Sequence, residues 1–294
     1  MKHIIALTIF SSFVALAHAQ APTSSANTYP IKPVKVVVGF APGGAADYVA
    51  RTLSDAMGKA LGQPIIVENK AGAGSSIAAE AVSKATPDGY TILIASPSSI
   101  SVNPALNPKL GYAPKDLMPV TKITTSPLVI AANPNAGIGS LTELVAKAKK
   151  APGAINYATS GNGSAPHLGA ALFAQVTGIE MTHIPFRGGG PAIQSVVAGD
   201  TQLTFGTPPS VLPMVQAGRL KGLGVSTKER TSLVPGLPGS IEAGVPDYAI
   251  EFWYGIFVPV GTPPAVVKKI FEATQTAMAQ PSICLLYTSP SPRD

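Results

Sequence analysis

The chain has 294 residues, with 21 Lys and Arg against 15 Asp and Glu, a net charge of +6, and only 12% charged residues. The surplus is dispersed apart from Lys147, Lys149 and Lys150, and no basic stripe alternates with aromatics, which argues against a nucleic-acid partner. The single cysteine, Cys284, stands near the C-terminal end, and His167 and His183 are the only histidines beyond residue 18, so disulfides, thiol catalysis and a metal centre are not expected, nor is any cofactor.

Met1 to Ala19 has a short basic start (Lys2, His3), an apolar run from Ile4 to Leu16 and the small-x-small pattern Ala17-His18-Ala19. This predicts a signal peptide, export, and cleavage after Ala19, because the run is too short for the roughly 20 residues that a membrane span needs. Ser24 to Asn27 reads as a leader without structure of its own.

Val36 to Val38 then read as a buried strand, and Pro42-Gly43-Gly44 turn it into an amphipathic helix with Val49, Leu53, Met57 and Leu61 on one face. Gly43 and Gly44 are expected to take backbone angles closed to other residues. Such a turn aims a helix N-terminus, with its unpaired N–H groups and positive dipole end, at the strand's carboxyl end, where it suits a carboxylate or phosphate. The Lys-Ser/Thr of a phosphate loop is missing, and Ile77 stands where a dinucleotide fingerprint needs its third glycine, so nucleotide binding is disfavoured.

Strands at Ile65 to Glu68 and Tyr90 to Ala95 alternate with a helix over Ser75 to Ala85, which predicts an α/β lobe with a mostly parallel sheet. An extended stretch from Pro119 to Asn133 crosses to a second α/β lobe, with a helix entered from Ser140, strands at Tyr157, Ile184, Leu203 to Phe205 and Leu220 to Val225, and helices near His167 to Thr177 and Pro191 to Ala198. Phe252 to Val258 crosses back, and a helix follows from Pro263. The expected division is residues 28–126 with 255–283 in one lobe and residues 127–254 in the other, with a cleft between them. The last residues, 284–294, look like translated sequencing-library adapter, so they are expected to carry no biology and the natural chain to have been cut near Ile283.

The second lobe has its own glycine-rich strand-to-helix turns. Thr159, Ser160 and Ser164 bring hydroxyls beside backbone freed by Gly161 and Gly163, with Asn162 and His167 adjacent, and a third junction runs through Arg187 and Gly188. In the first lobe Ala41, Pro42, Gly43 and Gly44 form the corresponding turn, and Asn69 and Ser96 follow strands, either lining the cleft or capping turns. Asp47 either caps the helix that follows the first turn or meets a ligand ammonium. Arg187 either pairs with a substrate carboxylate or is an exposed loop residue. A serine hydrolase built on Ser164 and His167 is disfavoured, because the surroundings do not spell G-x-S-x-G and no acid is placed to orient His167.

Five ordered motifs carry a family resemblance: Gly39 to Arg51 (GFAPGGAADYVAR), Val67 to Gly74 (VENKAGAG), Pro87 to Thr91, Gly161 to Leu168 (GNGSAPHL) and Phe186 to Pro191 (FRGGGP). Between about Tyr29 and Pro281 the chain resembles the Bug, or TctC-like, substrate-binding proteins of tripartite tricarboxylate transporters. The resemblance implies a periplasmic two-lobe clamshell with two mostly parallel sheets, not an enzyme, that closes on a small carboxylate through backbone amides, hydroxyls and bridging water. It implies a monomer that serves membrane permease subunits or, alternatively, a membrane sensor kinase. Di- or tricarboxylates, acidic amino acids and aromatic acids all fit. One departure stands out: Gly206 occupies a place where relatives often carry Asp.

Overall fold

The computed structural model describes residues 29–280 and Ile283; the signal peptide, its cleavage site and residues 284–294 lie outside the described residues. The chain folds as two α/β lobes, each built on a five-stranded sheet. The first sheet contains β1 (Val34–Val38), β2 (Ile65–Asn69), β3 (Thr91–Ala95), β4 (Leu117–Pro127) and β10 (Glu251–Pro259) in the order β2-β1-β3-β10-β4. The second contains β5 (Val129–Ala132), β6 (Asn156–Thr159), β7 (Thr182–Pro185), β8 (Leu203–Gly206) and β9 (Lys221–Val225) in the order β7-β6-β8-β5-β9.

Each sheet is mixed rather than mostly parallel. The pairs β1–β2, β1–β3, β6–β7 and β6–β8 are parallel, whereas β10 runs antiparallel to β3 and β4, and β5 antiparallel to β8 and β9. The cause is the crossing geometry: strands that carry the chain between lobes enter each sheet from the cleft end, opposite to strands that leave through βα turns. A strand's direction is therefore set by where its connection comes from, which no local residue pattern records.

Helix α1 (Ala45–Leu61) buries Val49, Leu53 and Met57 against β1 and against α8 (Pro264–Met278), and ends at Gly62, whose φ of 74° lets its N–H reach the Gly58 carbonyl at 2.9 Å. Helix α2 (Ser76–Ser83) lies on the other face of the same sheet, over Val37 and Leu93, and the short helix α3 (Asn103–Leu106) follows β3. In the second lobe, α4 (Leu141–Lys150) starts where the Ser140 hydroxyl accepts the Glu143 N–H at 3.1 Å. It shares one core with α5 (Ala165–Thr177), in which Phe173, Phe205 and Tyr248 pack edge to face or tilted. Helices α6 (Gly189–Ala198) and α7 (Pro208–Gln216) cover the opposite face around Val129, Val196 and Val211. No helix among the described residues is long and apolar enough to cross a membrane.

Candidate functional site

The two sheets meet with the carboxyl ends of their parallel strands facing each other. In the first sheet the chain goes from β1 to β2 on one side and then returns to β3 on the other; in the second it goes from β6 to β7 and returns to β8. Crevices open at such switch points. One cavity occupies both, with Gly44 after β1, Ser96 after β3, Ser160 after β6 and Thr207 after β8 in its wall.

Four helices begin at this cavity. Gly44, Ala45 and Ala46 come from the start of α1, Ala165 and Pro166 from α5, Gly189 from α6, and Thr207 and Ser210 from α7. α1, α5 and α6 each leave early N–H groups without partners inside the helix, whereas α7 opens on Pro208 and Pro209, which have no N–H, and brings the Thr207 and Ser210 hydroxyls instead; every one of the four ends adds a partial positive charge. No charged side chain among the described residues lines the cavity. Its hydroxyls include Ser96, buried to 4% exposure, whose Oγ has no hydrogen-bond partner. Tyr254, from the crossing strand β10, closes it, and burial pushes its phenol well above the usual range. The cavity leaves ≈ 30 Å³ for the centres of water-sized spheres. That is room for about two waters with the lobes in this position. A nucleotide does not fit such a space. A larger groove on the hinge side shares Ala45, Thr207 and Tyr254 and is walled by Pro208, Pro209, Leu212 and Pro213 together with Thr124, Thr125, Ser126 and Ser232, but only one helix, α7, begins at it.

Of the residues singled out from sequence, Gly44, Ser96 and Ser160 line this cavity, while Gly161, Asn162 and Arg187 line a neighbouring outer pocket. Ala41, Pro42 and Gly188 meet at the seam between lobes: the Ala41 N–H donates to the Arg187 carbonyl at 3.0 Å, and a Cβ at Gly188 would come within 2.8 Å of the Ala41 nitrogen. Gly43 has a φ of 80°, as expected, but Gly44 has a φ of −90° and a ψ of 171°, open to any residue. What demands glycine at 44 is proximity, since a Cβ there would lie 3.3 Å from the Gly189 nitrogen across the cleft.

Asp47 and Asn69 sit behind the first turn rather than in the cavity wall. The Asp47 carboxylate, 4% exposed, accepts the Gly43 N–H at 3.0 Å, Arg51 Nε at 3.0 Å and Asn69 Nδ2 at 2.9 Å, and Asn69 Nδ2 also reaches the Phe40 carbonyl at 3.0 Å. Burial alone would raise the carboxyl's pKa, but the hydrogen bonds from Arg51, Gly43 and Asn69 outweigh it and hold the group below its ordinary value. The pair therefore shapes the turn.

Thr159, Ser164 and His167 do the same for the second turn. Ser164 Oγ caps α5 by accepting the His167 backbone N–H at 3.4 Å, and the Gly163 N–H donates to His167 Nδ1 at 3.1 Å. Thr159 Oγ1 lies 2.6 Å from His183 Nε2, and the His167 and His183 rings stack with centroids 4.1 Å apart. Burial lowers both histidines, His183 to about 4 with His167 as a further cause. Ser164 thus meets the His167 backbone and not its imidazole, so a serine–histidine nucleophile is not assembled.

Sequence reading passed over Ser98, Thr207, Ser210 and Tyr254, which the fold brings to the cavity. The signal for α7 was available: Pro208 and Pro209 after Thr207 mark a helix start. Gly206 also lines the cavity, and a Cβ there would meet Val211 Cγ2 at 2.4 Å, so an acid at this position would require the Val211 side chain to move.

Cleft, switch points and converging helix ends define a solute-binding receptor of the periplasmic two-lobe class. Residues 49–290 match the tripartite tricarboxylate transporter family receptor, TctC, and the chain belongs to that family. It is 36% identical to the protein BugT of Bordetella pertussis over 276 residues, covering 92% of this chain and 84% of BugT. Among solved structures, MatC of Rhodopseudomonas palustris with bound malate superposes with a TM-score of 0.82 at 34% identity, covering 87% of each chain. An R. palustris protein with adipate gives 0.84 at 31% identity, covering 87% of this chain and 86% of that one. Proteins of this family are substrate-binding receptors, not enzymes.

Proposed function

We propose that this protein, exported and cleaved after Ala19, captures a small carboxylate in the inner cavity and delivers it, in its closed form, to the membrane permease of a tripartite transporter. One observation carries this: four helix N-termini from two lobes converge on a cavity whose lining, among the described residues, has hydroxyls and no charged side chain. Donors from both lobes can satisfy a carboxylate there only when the lobes are together, so the anion favours closure by as much as it prefers the closed site. The lack of any acid in the lining disfavours ligands with an ammonium group, which leaves di-, tri- or aromatic carboxylates ahead of amino acids.

Thermal unfolding of the chain from Gln20 onward against a panel of carboxylates tests the reading. A ligand at 100 times its dissociation constant adds about 2.7 kcal/mol and raises the midpoint by several degrees. Shifts confined to particular acids support it, and a cooperative melt that no acid moves refutes it. Mass spectrometry of the exported protein tests the cut, with Gln20 expected as the first residue.

A further inference from the structure

The inner cavity, with ≈ 30 Å³ for the centres of water-sized spheres, and the hinge-side groove, with ≈ 290 Å³ on the same measure, have three wall residues in common: Ala45, Thr207 and Tyr254. Ala45 and Thr207 are small and stand at the starts of α1 and α7, so neither has the bulk to separate the two spaces. The Tyr254 ring has it.

The backbone aims that ring. Tyr254 of β10 pairs with Thr124 of β4, the next pair is Gly255 with Lys122, and Ile123 is the extra residue between them, so the ladder bulges directly beside Tyr254. A bulge re-aims the side chain next to it. Tyr254 is 9% exposed and packs in the core that holds α1, with Ile256 and Val258 of its own strand. Burial is the sole cause of the upward shift of its phenol, so packing rather than a charge or a hydrogen bond holds the ring. Beyond it, the groove has Tyr48 and Val49 of α1, Leu212 of α7 and Leu233 in its walls and no charged side chain among the described residues. Such a lining gains from burying hydrocarbon.

We propose that Tyr254 is a specificity-determining residue of the site: its ring is the partition that ends the inner cavity and bars the hydrocarbon tail of a bound acid from the hinge-side groove, so that lengthening the acid adds no affinity. The proposal rests on the carboxylate reading of the inner cavity and adds what limits the ligand. An acid group seated at the helix ends of α1 and α7 lies against the ring, because Ala45 and Thr207 stand beside Tyr254 in both walls. A tail directed that way meets the ring first and the apolar groove only after it. Selection against apolar tails then comes from one side chain on the crossing strand, separately from the helix ends that hold the charge.

Isothermal titration with acetate, butanoate, hexanoate and octanoate, which differ only in methylenes, reads the partition. In the unaltered protein affinity should not rise along the series. Tyr254→Ala joins the two spaces, so each methylene that enters the groove should add about fourfold in affinity, and octanoate should bind the variant at least tenfold tighter than the parent protein. A ring that served packing alone would, when removed, weaken all four acids alike. Tyr254→Phe keeps the ring and should keep the parent's order of acids, and adding Leu212→Trp to Tyr254→Ala refills the groove and should cancel the gain. If Tyr254→Ala does not melt cooperatively, Tyr254→Leu takes its place with the same expectation. A parent protein that already gains affinity with each methylene, or a ring-less variant that gains no octanoate binding, overturns the partition even where other carboxylates bind and the inner site stands. If no mono-, di- or tricarboxylate binds any of these proteins, the carboxylate reading itself fails and the partition falls with it.

Discussion

Closure places Gly163 of the second lobe against Asn103 of the first, and Gly163→Ala tests how tightly the seam is built. Gly163 has a φ of 68°, so alanine pays the left-handed penalty of about 1 to 2 kcal/mol whether the lobes are open or closed. The added Cβ would also fall 2.2 Å from Asn103 Oδ1. Asn103 has little freedom to retreat: it is 8% exposed, and its Nδ2 donates among the Ala73 and Gly74 carbonyls and Ser76 Oγ at 2.8 to 3.1 Å. Swinging the amide away gives up its two N–H bonds, about 2 kcal/mol, and this cost falls on the closed form alone. Affinity for a carboxylate should therefore drop roughly thirtyfold in titration calorimetry. The melting midpoint without ligand should fall by a few degrees from the backbone term. The double variant Gly163→Ala with Asn103→Ala removes the clash and should regain most of the affinity, but not the lost stability. A single variant that binds as well as the parent protein, or a double variant that binds no better than the single one, would refute the claim that this contact belongs to the closed, binding-competent form.

Ser96→Ala removes an unpaired buried hydroxyl from the cavity wall, so the midpoint without ligand should hold or rise slightly while affinity falls several-fold; unchanged affinity would take Ser96 out of the site. Asp47→Asn loses the charge that gathers Gly43, Arg51 and Asn69, and should cost about 2 kcal/mol and speed hydrogen exchange at the Gly43 amide. His167 and His183 are held neutral by burial, so the unfolded chain binds protons that the folded one refuses. Their contribution to stability is complete above the ordinary histidine pKa near 6.5 and is lost as pH falls toward about 4. The melting midpoint measured across that window should fall less steeply in His183→Phe, which keeps a ring against His167; identical slopes would contradict the assignment.

The turns were legible because their chemistry is local. Pro42-Gly43-Gly44 and Gly161 to Ser164 announce a strand ending and a helix beginning, and the apolar spacing of α1 fixes which face is buried. Two kinds of information were not local. Strand direction depends on where each connection arrives, so the antiparallel placement of β5 and β10 escaped. Cavity membership depends on both lobes at once: Thr207 and Ser210 reach the site because β8 lies beside β6 across the switch point, and Asp47 misses it because its helix start turns the carboxylate back onto Gly43 and Asn69. Gly44 shows the same limit in one residue, since glycine was needed there, but for the approach of Gly189 and not for its own dihedral angles.

Neutral donors have a consequence for how such a site opens and closes. Each helix N-terminus carries roughly half a positive charge, so one from the first lobe and three from the second bring like-signed ends together as the cleft shuts. A lysine or arginine in the wall could fold back onto a protein carboxylate and relieve that repulsion, but backbone dipoles cannot move, and no acid among the described residues lines the cavity. In the first lobe Asp47, in the first turn of α1, offsets part of this charge from behind the wall; at the three ends of the second lobe a guest anion does so. Closure and capture are then one event, and the ligand's charge rather than its shape supplies most of the coupling. A neutral amide analogue of a bound acid, equal in size and hydrogen-bonding reach, should accordingly fail to close the lobes in small-angle scattering at any concentration that dissolves, whereas the acid compacts the protein. Compaction by the amide would mean that hydrogen bonds, and not helix-end charge, drive the lobes together.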